Sequence, residues 1–152
     1  MRRKEKEITD ITEIERIIRS GAVCRIGLCV DDVPYIVPMY YGYRNRCLYF
    51  HAALKGKKLD MIKQNNQVCF EIDVESKIVN TGVPCDWKNS YESVIGSGIA
   101  SVIKDPAEKM LALNVLIEHY SPGTSYDFPN KNVQRTAVIK IEITEMTGKK
   151  ST

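Results

Sequence analysis

The stretch LYFHAALKGKKLDMIKQN, from Leu48 to Asn65, decides the reading of this chain. It opens as a strand, because Leu48, Tyr49 and Phe50 are apolar or aromatic and follow the turn-forming Arg44-Asn45-Arg46. It closes as a helix over about residues 55–65, with Leu59, Met61 and Ile62 on the inner side. Between the two, Lys55, Lys57 and Lys58 crowd a helix start that already carries about half a positive charge from its aligned peptide dipoles. An anion there would resolve the conflict. A phosphate could be held by the free N–H groups of the first turn, with Gly56 allowing close backbone approach and Lys57 or Lys58 supplying charge. The competing reading is that the lysines are simply solvated, since an exposed dipole penalty is only about 0.3–1 kcal/mol.

Upstream, residues 22–30 (AVCRIGLCV) and Pro34 to Tyr43 read as two strands joined by a turn at Asp31-Asp32. With the strand Cys47 to Ala52 they form a three-stranded meander. Pro38 lacks the backbone donor that a central strand needs, so this segment is an edge, a bulge or the wall of a ligand site. A flat heteroaromatic ring such as a flavin suits an irregular strand edge with unpaired N–H and C=O groups; an edge strand guarded by proline against aggregation is the plainer alternative. Residues 9–20 predict a helix with a Thr12/Glu15 capping box, an apolar face of Ile11, Ile14, Ile17 and Ile18, and a stop at Gly21. The charged residues before it, 1–8, read as a flexible solvated tail.

Downstream, Gln67 to Glu75 alternates, with Val68, Phe70, Ile72 and Val74 on one face and Cys69, Glu71, Asp73 and Glu75 on the other. Ser76 to Ser90 reads as a long loop carrying Pro84 and Trp87. Tyr91 to Ile103 reads as a long strand in which Gly96 and Gly98 mark a bulge or bend. Asp105-Pro106 starts a third helix that ends at Ser121-Pro-Gly, residues 122–135 form a loop, and Ala137 to Met146 is the last strand. Six strands with tight turns and a bent member predict an α+β, mainly β chain: one domain over 1–152, built as a six-stranded antiparallel barrel with flanking helices.

Composition narrows the function classes. A net charge of +3 without a basic stripe argues against nucleic acid. No apolar run reaches the ~18 residues of a membrane span, and the first residues lack a secretory core, so a cytoplasmic protein with no membrane partner is expected. Five cysteines without CxxC spacing suggest reduced core residues, and two histidines give no metal set. Gly96-Ser-Gly98 lacks the third glycine and the strand-to-helix setting of a dinucleotide fingerprint.

The motifs VPMYY (37–41), LYFHAA (48–53), GKKLD (56–60), YESV (91–94), EKMLAL (108–113) and ITEMTGK (143–149), in this order, resemble the split-barrel flavoproteins related to pyridoxamine 5′-phosphate oxidase, and most of all their nitroimidazole-resistance branch. The resemblance covers nearly the whole chain. It implies a split barrel and a homodimer with FMN at the subunit interface. It also implies that Val37, Pro38, Met39 and Tyr40 line the flavin ring, that His51, Ala52 and Ala53 run beside it, that Lys57 and Lys58 meet the phosphate, and that Ser93 joins from the partner. Two departures stand out. Ala52 replaces a frequent serine or glycine, and the arginine-rich substrate pattern of the true oxidase is missing, which discounts that activity.

The function expected on this basis is an FMN-dependent oxidoreductase passing electrons from NAD(P)H to a small nitroaromatic or quinone-like acceptor, with His51 as the catalytic proton donor or flavin hydrogen-bond partner. His51 closing the strand structurally is the alternative for that residue. For the whole chain, the alternative is a non-catalytic flavin or haem binder on the same barrel.

Overall fold

The computed structural model describes residues 3–151, with the side chain of Glu75 outside that description. The expected solvation of residues 1 and 2 and the outward turn of Glu75 therefore fall outside the described residues.

Two tight hairpins build the first half. Strands β2 (Cys24–Val30) and β3 (Val33–Met39) are joined by Asp31-Asp32 with φ of 51° and 61°. Strands β4 (Gly42–Arg44) and β5 (Cys47–Ala52) are joined by Asn45-Arg46 with φ of 52° and 58°. Both are two-residue loops with positive φ at each position, whose twist matches that of the flanking strands. The second half is a long hairpin of β6 (Gln67–Val79) and β7 (Lys88–Ile103), followed after a helical excursion by β8 (Ala137–Ser151).

Eight antiparallel strands form one sheet in the order β3-β2-β6-β7-β8-β5-β4, and a short β1 (Glu7–Ile8) pairs with β8. β3 and β4 stand at opposite ends of this order, yet only Tyr40 and Tyr41 separate them along the chain. Three Cα steps span at most about 11 Å, whereas six flat strand spacings would need about 29 Å. The sheet must therefore roll until its ends meet. No ladder joins β3 to β4, so the result is a barrel that the chain closes and hydrogen bonds do not: a split barrel. The bend is assisted at β7, where the register with β8 slips between Ser97 and Gly98. A Cβ at Gly96 would lie 2.5 Å from the Phe70 ring and 2.6 Å from the Glu145 carbonyl, so only glycine lets the strands approach this closely.

Two helices plug the barrel ends and a third covers its side. α1 (Ile11–Ser20) sends Ile14, Ile17 and Ile18 into the main core, and α2 (Lys57–Gln64) sends Leu59, Met61 and Ile62. α3 (Pro106–Tyr120) lies outside β4 and β5, and with the short α4 (Asn130–Gln134) encloses a second cluster around Leu113, Leu116, Val133 and Val138.

Several expectations are corrected. Among the described residues, strands number eight rather than six. Residues 77–79 pair with 88–90 beyond a bulge at Val74, so much of the expected loop after Ser76 is a protruding hairpin. The end of the expected tail is docked: Lys6 Nζ donates to Ser151 Oγ at 2.7 Å, and Ile8 is 5% exposed and paired with Gly148. The α1 cap is Asp10, whose carboxylate accepts from the Thr12 N–H at 2.9 Å, and not Thr12. Only Cys24 is a core cysteine; Cys29 and Cys69 sit at outward positions of their strands.

The link between the sheet ends is anchored by Tyr41, which is fully buried. Its hydroxyl donates to the Ile18 carbonyl, with the Gly21 carbonyl as a second acceptor at 3.1 Å. Tyr41→Phe should cost about 1–3 kcal/mol, since buried acceptors lose their donor without a change in shape. Urea unfolding should show a lower midpoint at unchanged slope.

Candidate functional site

Rolling without closure leaves a wedge. β4 covers only Cys47 to Tyr49 of β5, so the edge of Phe50, His51 and Ala52 away from β8 has no strand partner. β3 is paired on one side alone. The two open edges converge on Tyr40 and Tyr41. Extending the β4–β5 register (Gly42 opposite Tyr49) by two residues sets Tyr40 opposite His51. Pro34 and Pro38 share a parity on β3, the arrangement in which neither removes a ladder bond to β2; the outward edge between them keeps the Ile36 N–H and the carbonyls of 34, 36 and 38.

The mouth of the wedge is crossed by Ala53 to Gly56 and then by α2. Gly56 is the N-cap, with φ of 143° that disfavours any side chain, and a Cβ there would point into open space. No side chain caps this helix; its first bonds run from the Leu59 and Asp60 N–H groups to the Gly56 carbonyl at 2.9 and 3.2 Å. The N–H groups of Lys57 and Lys58 therefore have no acceptor inside the helix. Lys57 Nζ lies 4.4 Å from the centre of the Tyr35 ring, which ties the helix start to β3. One end of the wedge is thus cationic and rich in free donors.

The other end is aromatic. Tyr40, 61% exposed, meets Tyr120 of α3 edge-on with ring centres 5.5 Å apart. The Tyr120 hydroxyl accepts from the Tyr41 N–H at 3.0 Å and donates to the Ala22 carbonyl at 2.8 Å. His51 turns outward beneath α3 into a 320 Å³ cavity with Leu113, Leu116, Phe128 and Asn132, and no charged residue lines it.

The expected site residues fall into three groups. Val37 and Met39 turn partly into the core while Pro38 and Tyr40 stand exposed, so β3 offers its backbone edge together with the Tyr40 ring. His51 and Ala52 point to opposite faces of β5; Ala52 packs on the barrel core, and only its backbone and that of Ala53 border the wedge. Ser93 is elsewhere. It pairs with Asp73 and Lys149 at the far end of β7, on the outward parity shared by Ile95 and Ile99, and does not reach the wedge of its own chain. Tyr120 and Tyr35 escaped the sequence reading as partners of Tyr40 and Lys57, since nothing local to them signals a contact 79 or more residues away or across a helix cap.

Thiol chemistry has little footing in the core. Burial pushes the Cys24 thiol up, and the Glu71 charge adds to this. Among the described residues no three His, Cys, Asp or Glu side chains gather as a metal set, and no helix is long and apolar enough to cross a membrane.

A family model described as pyridoxamine 5′-phosphate oxidase matches residues 10–150. The chain belongs to this family. Its fold is that of a candidate 5-nitroimidazole antibiotic resistance protein of Bacteroides thetaiotaomicron, 33% identical over 94% of this chain and 85% of that one, with a TM-score of 0.84. The flavocytochrome of Azotobacter vinelandii superposes with a TM-score of 0.86 at 20% identity, over 100% of this chain and 72% of that one. An uncharacterized protein of Rhizobium meliloti (strain 1021) is 33% identical over 60 residues, which is 40% of this chain and 39% of that protein.

His119, at the aromatic end, donates from Nε2 to the Gly21 carbonyl at 2.8 Å and packs on Tyr41 with ring centres 4.5 Å apart. Burial lowers its pKa, and Arg19 reinforces the shift against the opposing hydrogen bond. A depressed pKa means stability that is present above the unfolded value near 6.5 and lost as pH falls through the folded one. The melting temperature should therefore fall between pH 7.5 and 5, and His119→Asn should flatten that dependence.

Proposed function

We propose that the wedge binds FMN and that the chain is an FMN-dependent oxidoreductase, taking electrons from NAD(P)H and delivering them to a small uncharged planar acceptor such as a nitroaromatic or quinone. The observation that carries this reading is the pairing of an uncapped, lysine-rich helix start with two unpaired strand edges in one wedge. A dianionic phosphate matches the first and the polar rim of a flat ring matches the second. The family membership and the 33% identical nitroimidazole-resistance relative favour the same chemistry.

When bound, FMN supplies two-electron acceptance and release. The chain's own residues do the rest. Lys57, Lys58 and the free N–H groups of α2 hold the phosphate, the β3 edge from Val37 to Met39 orients the ring, and Tyr40 with Tyr120 borders the aromatic end. His51 faces the uncharged cavity beneath α3, where its imidazole can hold a proton for an acceptor seated there. No arginine lines that cavity, so it offers a phosphorylated vitamin substrate no counter-charge.

A homodimer belongs to the same reading. The outward face of β3, β2, β6 and β7 carries exposed Ile36 (68%), Ile95 (58%) and Ile99 (38%) around a 430 Å³ groove, and no helix covers it. Ser93 lies on this face, so a second copy docked there could bring it to the first copy's wedge. Ile36→Asp with Ile99→Asp should convert a dimer to monomer in light scattering; a wild-type monomer would count against the interface.

The purified protein should be yellow, bleach with NAD(P)H under anaerobic conditions and recover colour with a nitroaromatic or quinone. An inert flavin, or a haem band, would support a carrier on the same barrel. Lys57→Ala with Lys58→Ala should weaken FMN binding by about tenfold or more, from the loss of two charge-assisted contacts; unchanged flavin occupancy would remove the phosphate assignment.

A further inference from the structure

We propose that a second cleft, between α2 and the C-terminal end of β7 from Ala100 to Ile103, binds a small amphipathic anion: an apolar body carrying a phosphate or carboxylate. The inference does not depend on the flavin reading. In the sheet order, β7 is three places from β3 and two from β5, and Leu54 alone of the cleft's lining residues comes from the Ala53 to Gly56 segment at the mouth of the wedge.

The cleft encloses 810 Å³, within the range of about 300–1,000 Å³ for small-molecule sites. Leu59, Ile62 and Val102 give it an apolar floor, and three lysines from three elements border it: Lys63 of α2, Lys104 after β7 and Lys109 of α3. None of its lining residues is acidic. Two nearby carboxylates, Asp105 and Asp60, are engaged elsewhere or weakly held. Asp105 caps α3 by accepting from the Glu108 N–H at 2.8 Å. Asp60 approaches Lys63 only to 3.8 Å, with the two side chains 63% and 68% exposed. Lys109 Nζ is fixed on the Thr136 carbonyl at 3.0 Å, and among the described residues Lys104 has no carboxylate within ion-pair distance.

Solvated surface lysines ordinarily point apart over a polar face. Here three border one cleft whose lining carries no acidic residue, so their like charges repel with no carboxylate of the lining to offset them. One anion relieves that repulsion, and an apolar body on it covers the floor. A nucleic-acid strand would need a basic stripe with stacked aromatics, and neither is present around this cluster.

The test uses the full-length protein and two probes of one shape, 1-naphthyl phosphate and neutral 1-naphthol, titrated by calorimetry. The phosphate should bind at least about tenfold more tightly than the naphthol and lose affinity as salt rises. Lys63→Ala with Lys104→Ala, both exposed positions that leave the melting temperature in place, should cut phosphate affinity by about tenfold without changing flavin content. The Lys57→Ala, Lys58→Ala protein should bind naphthyl phosphate as the wild type does, so failure of the flavin assignment and failure of this one remain distinguishable. Equal affinity for the two probes, an unaltered affinity in the Lys63/Lys104 variant, or a loss that follows Lys57 and Lys58 instead would overturn the proposal.

Discussion

The two-residue link at Tyr40–Tyr41 is the constraint on which the remaining structure depends. It ties the opposite edges of an eight-stranded sheet together, and every other element conforms to that tie. Tyr41 holds it from three sides: its hydroxyl on the end of α1, its backbone N–H on Tyr120 at the end of α3, and its ring against His119. Burial of the hydroxyl drives its pKa far up, so the donor survives across the working pH range. The same burial means that the barrel's seam is locked by uncharged hydrogen bonds and ring packing, which salt does not weaken.

A seam held by two residues cannot also be a ladder. β3 and the upper part of β5 are left with unpaired backbone, a liability that sheets usually blunt with prolines, charges or a covering element. This chain shows each device in one place: Pro34 and Pro38 on β3, Lys57 over Tyr35, and α2 across the mouth. The open edges could have been sealed by a few more residues on β4. Their persistence beside a cationic helix start means that the unsatisfied groups and the excess charge occupy one cleft, where a single polar, anionic ring system would answer both.

Much of this was legible because the relevant signals are local. The period-two alternation of Gln67 to Asp73, the Asp105-Pro106 helix start and the paired turns at Asp31-Asp32 and Asn45-Arg46 each depend on neighbours within a few residues. The expected strands fell short in extent where pairing is supplied from afar, and in number by β1 and by the division of Pro34 to Tyr43 into β3 and β4. Ile8 is a strand residue only because Gly148 lies across from it, and Lys88 to Ser90 only because Lys77 to Val79 continue the ladder past a bulge. Pro34 to Tyr43 reads as one strand, and it nearly is: its first part pairs with β2 and its last part with β5, and the break falls at the link. Which cysteines are buried could not be read from strand membership alone, since parity decides it and Cys24 and Cys29 differ by an odd step.

Family membership leaves the substrate open, and here the side-chain directions narrow it. Alternation along β5 sends Phe50 and Ala52 into the barrel and His51 outward, so the imidazole faces the space under α3 rather than the core. That space is walled by Leu113, Leu116, Ile117 and Phe128, with only Asn132 and Thr136 as polar neighbours. A charged substrate entering it would exchange water for aliphatic carbon without a counter-ion, a cost of several kcal/mol. A neutral planar molecule would lose little and would bring its polar edge to the imidazole. The lysines that border the wedge, Lys57 and Lys58, stand at the start of α2 at its opposite end, and Lys63, Lys104 and Lys109 border the second cleft. Under the proposed function this division would hold the anchor of a ligand at one end and leave the other end uncharged, which would suit electron transfer to neutral acceptors better than chemistry on a phosphorylated amine.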